Sequence, residues 1–229
     1  MALPTPLILL HGALASRDQF TALRKLLEDD HEVYDLNFSG HGDNRSIHDF
    51  SMERFTADVV EMMEDKGITH ANFFGYSMGG YVALLVARNF PSLVGRVITL
   101  ATKFDWTPES AAQETRRLIP EKVEAKVPAF ADTLRLRHGD PHWKQVMLKT
   151  SRMMTGLGQG DAMKPQDFRD ILQPVLLMVG ELDHMVSAEE TLTIADVLPR
   201  GELRVLEGIH HPFESLDPAM IKEEIERFI

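Results

Sequence analysis

The chain has no cysteine among its 229 residues, which excludes a disulfide, a thiolate nucleophile and a cysteine-ligated metal. No stretch approaches the roughly 20 apolar residues of a membrane span. The short run Leu7 to Leu10, behind Met1-Ala2-Leu3-Pro4-Thr5-Pro6, lacks the length and the basic flank of a secretion signal. A cytoplasmic protein with no membrane partner is expected. Basic charge is scarce: 24 Lys+Arg against 35 Asp+Glu leave a net charge of −11, which argues against a nucleic-acid partner. There is no H-E-x-x-H and no clustered His/Asp spacing, so no metal is expected, and no phosphate loop, because Gly156-Leu157-Gly158-Gln159-Gly160 follows no strand and precedes no G-K-[ST]. Internal repeats and low-complexity runs are also missing. What is left is the composition of an ordinary globular protein, long enough for one domain with a substantial core.

The charge is unevenly spread. Residues 103–165 carry 11 Lys+Arg and 8 Asp+Glu, a balance of +3, while the remainder stands at −14. A solvated surface accounts for this, and so does attraction of an anionic substrate to that segment.

Apolar runs alternate with helical patterns, as in repeated βα units on a parallel sheet. The expected strands are Leu7–Leu10, Val33–Leu36, Ala71–Phe74, Val97–Leu100, Val175–Val179 and Leu203–Leu206. They are short, continuous and apolar, as strands buried on both faces should be. Helices are expected at Arg17–Leu27, Met52–Lys66, Gly80–Asn89, Ala188–Leu198 and Pro218–Phe228, with Ser51 and Ser187 as N-caps. Between about 104 and 165 there is no strand candidate. Helical patterns there run Pro108–Leu118, Glu121–Arg137 and Pro141–Met154. An all-helical insertion at the C-terminal edge of such a sheet usually caps a site.

Gly75-Tyr76-Ser77-Met78-Gly79 stands between a strand and a helix pattern. This is G-x-S-x-G in the strand–turn–helix setting that gives it meaning. The turn lifts a serine hydroxyl above the sheet edge, and glycines two before and two after it relieve the crowding. A serine nucleophile needs a base and an orienting acid. Candidates lie at the same edge: Glu181 and Asp183 after the strand Val175–Val179, and His210 and His211 after Leu203–Leu206.

Five segments in order resemble the α/β-hydrolase fold superfamily over nearly the whole length: Leu9-Leu10-His11-Gly12-Ala13, Asp35-Leu36-Asn37-Phe38-Ser39-Gly40-His41-Gly42, Gly75-Tyr76-Ser77-Met78-Gly79-Gly80, Val179-Gly180-Glu181-Leu182-Asp183, and Gly208-Ile209-His210-His211 with Asp217-Pro218. The chain begins almost directly at the family's third strand, so the first two strands are expected to be missing. The resemblance implies a mostly or wholly parallel α/β sheet of about six strands flanked by helices. It implies a hydrolase core at 1–102 and 166–229 and a helical cap at 103–165. Matching Gly208 and Pro218 to the family's histidine loop selects His211 as the base, with His210 in place of a glycine. The implied triad is Ser77, Asp183 and His211, and the implied oxyanion donors are the N–H groups of Ala13 and Met78. His11 is expected to be structural and His41 a turn residue. Trp143, Val146, Met147, Thr150, Met153 and Met154 form one apolar helix face; from it Trp143 and Met147, together with Leu14, are expected in the substrate pocket. The implied activity is that of a carboxylesterase-like serine hydrolase acting on a small-molecule ester without a cofactor, as monomer or homodimer. The same triad also serves carbon–carbon bond hydrolases and lyases, and the fold also serves non-catalytic ligand-binding receptors.

Overall fold

Six segments pair into one all-parallel sheet in a computed structural model that describes residues 5–229. In chain order these are β1 (Leu7–Leu10), β2 (Val33–Asp35), β3 (Ala71–Tyr76), β4 (Val94–Leu100), β5 (Val175–Gly180) and β6 (Gly201–Leu206). Their order across the sheet is β2-β1-β3-β4-β5-β6. The expected six parallel strands are found, with ends differing by a few residues. The direction of build-out reverses between β1 and β3, and the crevice at such a switch point is where open α/β sheets place their sites.

Both faces of the inner strands β1, β3 and β5 are covered, which is why they read as unbroken apolar runs, while the edge strands β2 and β6 are partly exposed. Ile8, Leu10, Phe73, Val97, Val175 and Leu177 point into one core. Packed on that side are α2 (Met52–Lys66), α3 (Met78–Asn89) and α8 (Ala188–Val197). Leu7, Leu9, Phe74, Ile98, Leu176 and Met178 point the other way, against α1 (Thr21–Leu27) and α9 (Pro218–Phe228). Ser51 and Ser187 cap α2 and α8 by accepting the N–H groups of Arg54 and Glu190, as capping residues do. The segment expected to begin a helix at Arg17 starts as a 3-10 turn, Arg17–Phe20, and becomes α-helical at Thr21.

Between β4 and β5 the chain forms four helices, α4 (Pro108–Thr115), α5 (Pro120–Lys126), α6 (Pro128–His138) and α7 (His142–Gly156). The single helix expected over 121–137 is two. Pro128 has no N–H to continue the ladder and forces Val127 out of helical geometry, to φ −137° and ψ 61°. The glycine-rich run after α7 is not a free linker either. It continues as a wide helical turn, Leu157–Asp161, that ends where Gly160 takes φ 120°. No helix among the described residues is long and apolar enough to cross a membrane.

The join between β3 and α3 is the tightest place in the fold. A Cβ on Gly79 would stand 2.0 Å from the Leu10 carbonyl oxygen at the end of β1, and one on Gly75 would stand 2.4 Å from the Gly79 carbonyl carbon. Both obstacles are backbone and cannot swing aside. Gly79→Ala should therefore lower unfolding free energy at or beyond the upper end of the about 1–3 kcal/mol usual for overpacking. Urea denaturation measures this, and a loss under 1 kcal/mol would show that the join is looser than described.

Candidate active site

Ser77 sits at the apex of that join with φ 51° and ψ −114°, outside the regions open to ordinary residues. Its backbone hydrogen bonds hold it there, the Tyr81 N–H donating to its carbonyl at 3.3 Å among them. Its N–H donates to the Leu100 carbonyl at 2.8 Å, and its carbonyl accepts from Thr102 Oγ1 at 2.9 Å and the Gly80 N–H at 3.1 Å. The strain is thus imposed by β4 on one side and the first turn of α3 on the other.

Facing it across the crevice is the loop after β1. Leu14 adopts φ 59°, which bends Gly12-Ala13-Leu14 back over the sheet edge. Among the described residues, neither the Ala13 nor the Met78 N–H has an acceptor within hydrogen-bonding distance. For Met78 the reason is general, since the first N–H groups of a helix have no partner within it.

The loops after β5 and β6 supply an ionisable pair. His211 Nδ1 lies 2.8 Å from Asp183 Oδ2. The Asp183 side chain is fully buried, and its other oxygen accepts the N–H groups of Met185 at 2.8 Å and Val186 at 3.0 Å. Burial alone would raise the Asp183 carboxyl, but the hydrogen bond and charge of His211, with the two N–H donors, outweigh it and hold it below the ordinary value. The imidazole is fixed from its backbone as well: Tyr76 donates its hydroxyl to the His211 carbonyl at 2.7 Å. Phe213, two residues on, packs edge-on against Phe20 with ring centres 5.1 Å apart.

The competing residues lie elsewhere. Glu181 accepts the Gly208 N–H at 2.9 Å and so braces the histidine loop from outside. His210 is exposed. His11 is buried: its Nε2 accepts the Phe38 N–H at 3.3 Å and its Nδ1 donates to the Gly12 carbonyl at 2.8 Å. His41 is also buried, stacked on Phe50 in its turn.

The cleft beside Ser77 is small, about 30 Å³, and lined by Ala13, Met52, Tyr81, Trp106, Met153 and Leu157 among others. The pocket reading of Leu14, Trp143 and Met147 needs correction, because none of the three lines this cleft. Trp143 and Met147 are wholly buried among the inserted helices, and Leu14 turns its carbonyl to Arg137 and His138 of α6. The apolar stripe on α7 was legible, but its packing end and its cleft end look alike in sequence. Met153 and Met154, at the latter end, reach the cleft. Trp106 and Lys103 carried no signal, since they lie in a segment without periodicity. A wider depression of about 710 Å³ adjoins the cleft and shares Trp106 and Leu157 with it.

His138 joins His11 and His41 in a buried group. Ring centres are 5.1 Å apart for His11–His41 and 5.8 Å for His41–His138. Among the described residues no group of His, Asp and Glu is arranged to hold a metal. Hydrogen bonds instead require neutral rings: His138 Nδ1 accepts the Gly42 N–H at 3.0 Å while Nε2 donates to the Leu14 carbonyl at 3.0 Å. Burial is the leading cause in each case, taking His11 from 6.5 to about 3, His138 to about 4, and His41 well below 6.5. The folded state therefore binds fewer protons than the unfolded chain below pH 6.5. Stability should be full above that pH and fall as pH drops toward 4, by about 1.4 kcal/mol per histidine per pH unit. Urea denaturation between pH 7 and pH 4 measures this. His138→Gln should flatten the slope, and an unchanged slope would remove this histidine from the account.

A family model described as the alpha/beta hydrolase fold matches residues 5–147. The sn-1-specific diacylglycerol lipase ABHD11 of Xenopus laevis is 31% identical over 237 residues, covering 90% of this chain and 73% of the relative. An (E)-2-((N-methylformamido)methylene)succinate hydrolase of Acinetobacter baylyi is 21% identical, covering 98% and 90%. Other matches are partial: the chain spans 38% of the length of ethanol acetyltransferase 1 of Eremothecium cymbalariae, at 26% identity over 62% of its own. A thermophilic esterase from Thermogutta terrifontis superposes with a TM-score of 0.77 at 21% identity, over 99% of this chain and 90% of that one. With these matches behind its sheet and its serine turn, the chain belongs to the alpha/beta hydrolase fold family.

Proposed function

We propose that the protein is a serine hydrolase that cleaves a small carboxylic ester through an acyl-enzyme. That it is a hydrolase is supported by the fold and by the hydrolase relatives. The observation that carries the finer one is the buried Asp183–His211 pair, held at the same sheet edge as the strained Ser77.

In this reading Ser77 Oγ attacks the acyl carbon and His211 Nε2 accepts its proton, Nδ1 being committed to Asp183. The oxyanion that develops is stabilised by the N–H groups of Ala13 and Met78, both of which lack another acceptor. Collapse expels the alcohol, protonated by His211. Water activated by the same imidazole then attacks the acyl-enzyme, releases the carboxylic acid and restores Ser77. Asp183, kept ionised by its three donors, orients the imidazole and stabilises its cation. The inserted helices act as a cap: Met153, Met154 and Leu157 roof the cleft and limit the acyl group it accepts.

A fluorophosphonate should label Ser77 alone, and Ser77→Ala should abolish labelling and lower ester turnover by several orders of magnitude. Asp183→Asn should cost on the order of 10³–10⁴ in kcat, and His211→Ala should be inactive while His210→Ala and Glu181→Gln keep most activity. Unchanged turnover in Ser77→Ala would overturn the nucleophile, and an inactive His210→Ala would shift the base by one residue.

The small cleft sets a second expectation. Across p-nitrophenyl esters from acetate to palmitate, kcat/KM should peak at short to medium chains, because apolar fit is worth only about 1–3 kcal/mol per methylene and the cleft fills early. A maximum at palmitate would mean an open groove. Labelled, folded protein that cleaves no ester would redirect the reading to carbon–carbon bond hydrolysis or lyase chemistry.

A further inference from the structure

Arg137 stands at the C-terminal end of α6, far from the serine turn in sequence, yet its guanidinium reaches the loop opposite Ser77. Nη1 donates to the Leu14 carbonyl at 2.8 Å, and the next residue, His138, donates to the same oxygen from Nε2 at 3.0 Å. Leu14 is the residue with φ 59°. A leucine in that region is disfavoured by roughly 1–2 kcal/mol; the turn is closed from within by the Ala15 N–H, which donates to the Gly12 carbonyl at 3.2 Å, and the Leu14 carbonyl is held from outside. The two donors from α6 do so. The other end of the loop is tied by Gln19, whose Oε1 accepts the Gly12 N–H at 3.0 Å.

The guanidinium also faces the opposite wall of the site. Arg137 Nη2 lies 3.8 Å from Glu214 Oε1, three residues beyond His211, and the same carboxylate oxygen accepts from Gln19 Nε2 at 3.4 Å. Gly12, Gln19, Glu214, Arg137 and Leu14 thus form a closed ring of contacts around Ala13. The Arg137 side chain is 18% exposed, so its charge is largely withdrawn from water, and the ring provides its partners.

We infer that Arg137 is a positioning residue for the oxyanion loop: the inserted helices set the direction of the Ala13 N–H by holding the Leu14 carbonyl. The inference rests on the serine-hydrolase reading above. It adds to that reading that the insertion does more than cover the cleft, because part of the transition-state binding depends on it. Removing the guanidinium leaves the Leu14 carbonyl to His138 alone, which loosens Leu14 and the direction of the Ala13 N–H. Ground-state binding should change less than transition-state binding, because Arg137 does not itself line the cleft and only Ala13 of its loop does.

The test compares wild type with Arg137→Met, which keeps the apolar stem, and Arg137→Lys, which can still reach one acceptor. Two rates are read: kcat and KM on a short-chain p-nitrophenyl ester, and labelling of Ser77 by a small fluorophosphonate, in which Oγ bonds to phosphorus, fluoride leaves and the histidine takes the proton. Arg137→Met should lower kcat and the labelling rate together by on the order of 10²-fold, the low end for loss of one oxyanion donor, with KM nearly unchanged. Arg137→Lys, or free guanidinium added to Arg137→Met, should recover at least a tenfold part of that. Full kcat and labelling in folded Arg137→Met would overturn the inference and leave the serine-hydrolase reading intact. So would a loss that tracks the unfolded fraction seen in urea. If Arg137→Met fails to fold, Arg137→Lys decides: an unaltered labelling rate at both high and low salt, with Glu214→Gln equally silent, overturns it. Wild-type protein whose Ser77 is not labelled would overturn both readings at once.

Discussion

Gly79 carries no side chain, and the Leu10 carbonyl occupies the space one would need. Much of the site follows from that contact. It lets the first turn of α3 press against the end of β1, which brings the loop after β1 and the turn after β3 to opposite lips of one crevice. It also leaves Ser77 no room to relax, since its carbonyl is held by Thr102 and its N–H by Leu100. A methyl group on Gly79 would push β1 and α3 apart and shift the two lips against each other. The arrangement at the edge therefore depends on packing beneath it.

Polar groups buried near the crevice are handled in two ways. Asp183 is kept charged by supplying it with three donors, one of them an imidazole that can change its own charge. The histidines around His41 are kept neutral, each ring given one acceptor task and one donor task where neighbours allow. His41 Nε2 has no partner among the described residues, an unmet polar group of the sort that weakens a packed region. The same desolvation that neutralises an imidazole sharpens the pull between a carboxylate and a nearby cation.

The strands, the serine turn and the order of acid and base could be read from the residues because each leaves a local mark. Val33, Ala71 and Val175 open apolar runs bounded by turn residues; Gly75 and Gly79 flank Ser77 at fixed spacing. Loops at matching strand ends offer Glu181 or Asp183 as acid and His210 or His211 as base, and the resemblance to the family's loops chooses Asp183 and His211 among them. What could not be read depends on side chains meeting across the fold. Nothing near Trp143 says that it packs inward while Met153 reaches the cleft, since both lie on one apolar stripe. Nothing near Arg137 says that Leu14, more than 100 residues away, presents it a carbonyl. The break at Pro128 was not read either, because the helical pattern continues on both sides of it.

β4 and β5 are neighbours in the sheet, with Val97 opposite Val175, although the whole helical insertion lies between them in the chain. Closing a flexible loop costs free energy that grows only with the logarithm of its length, about 0.6 kcal/mol for each doubling. The sheet therefore constrains where this excursion leaves and returns far more than how long it is. Helices could be added to it or trimmed from it at small entropic expense, so long as an arm still reached the Leu14 carbonyl. In this architecture the span between two adjacent strands is the part of the chain most open to change in size, and its few contacts with the sheet edge are the part least open to it.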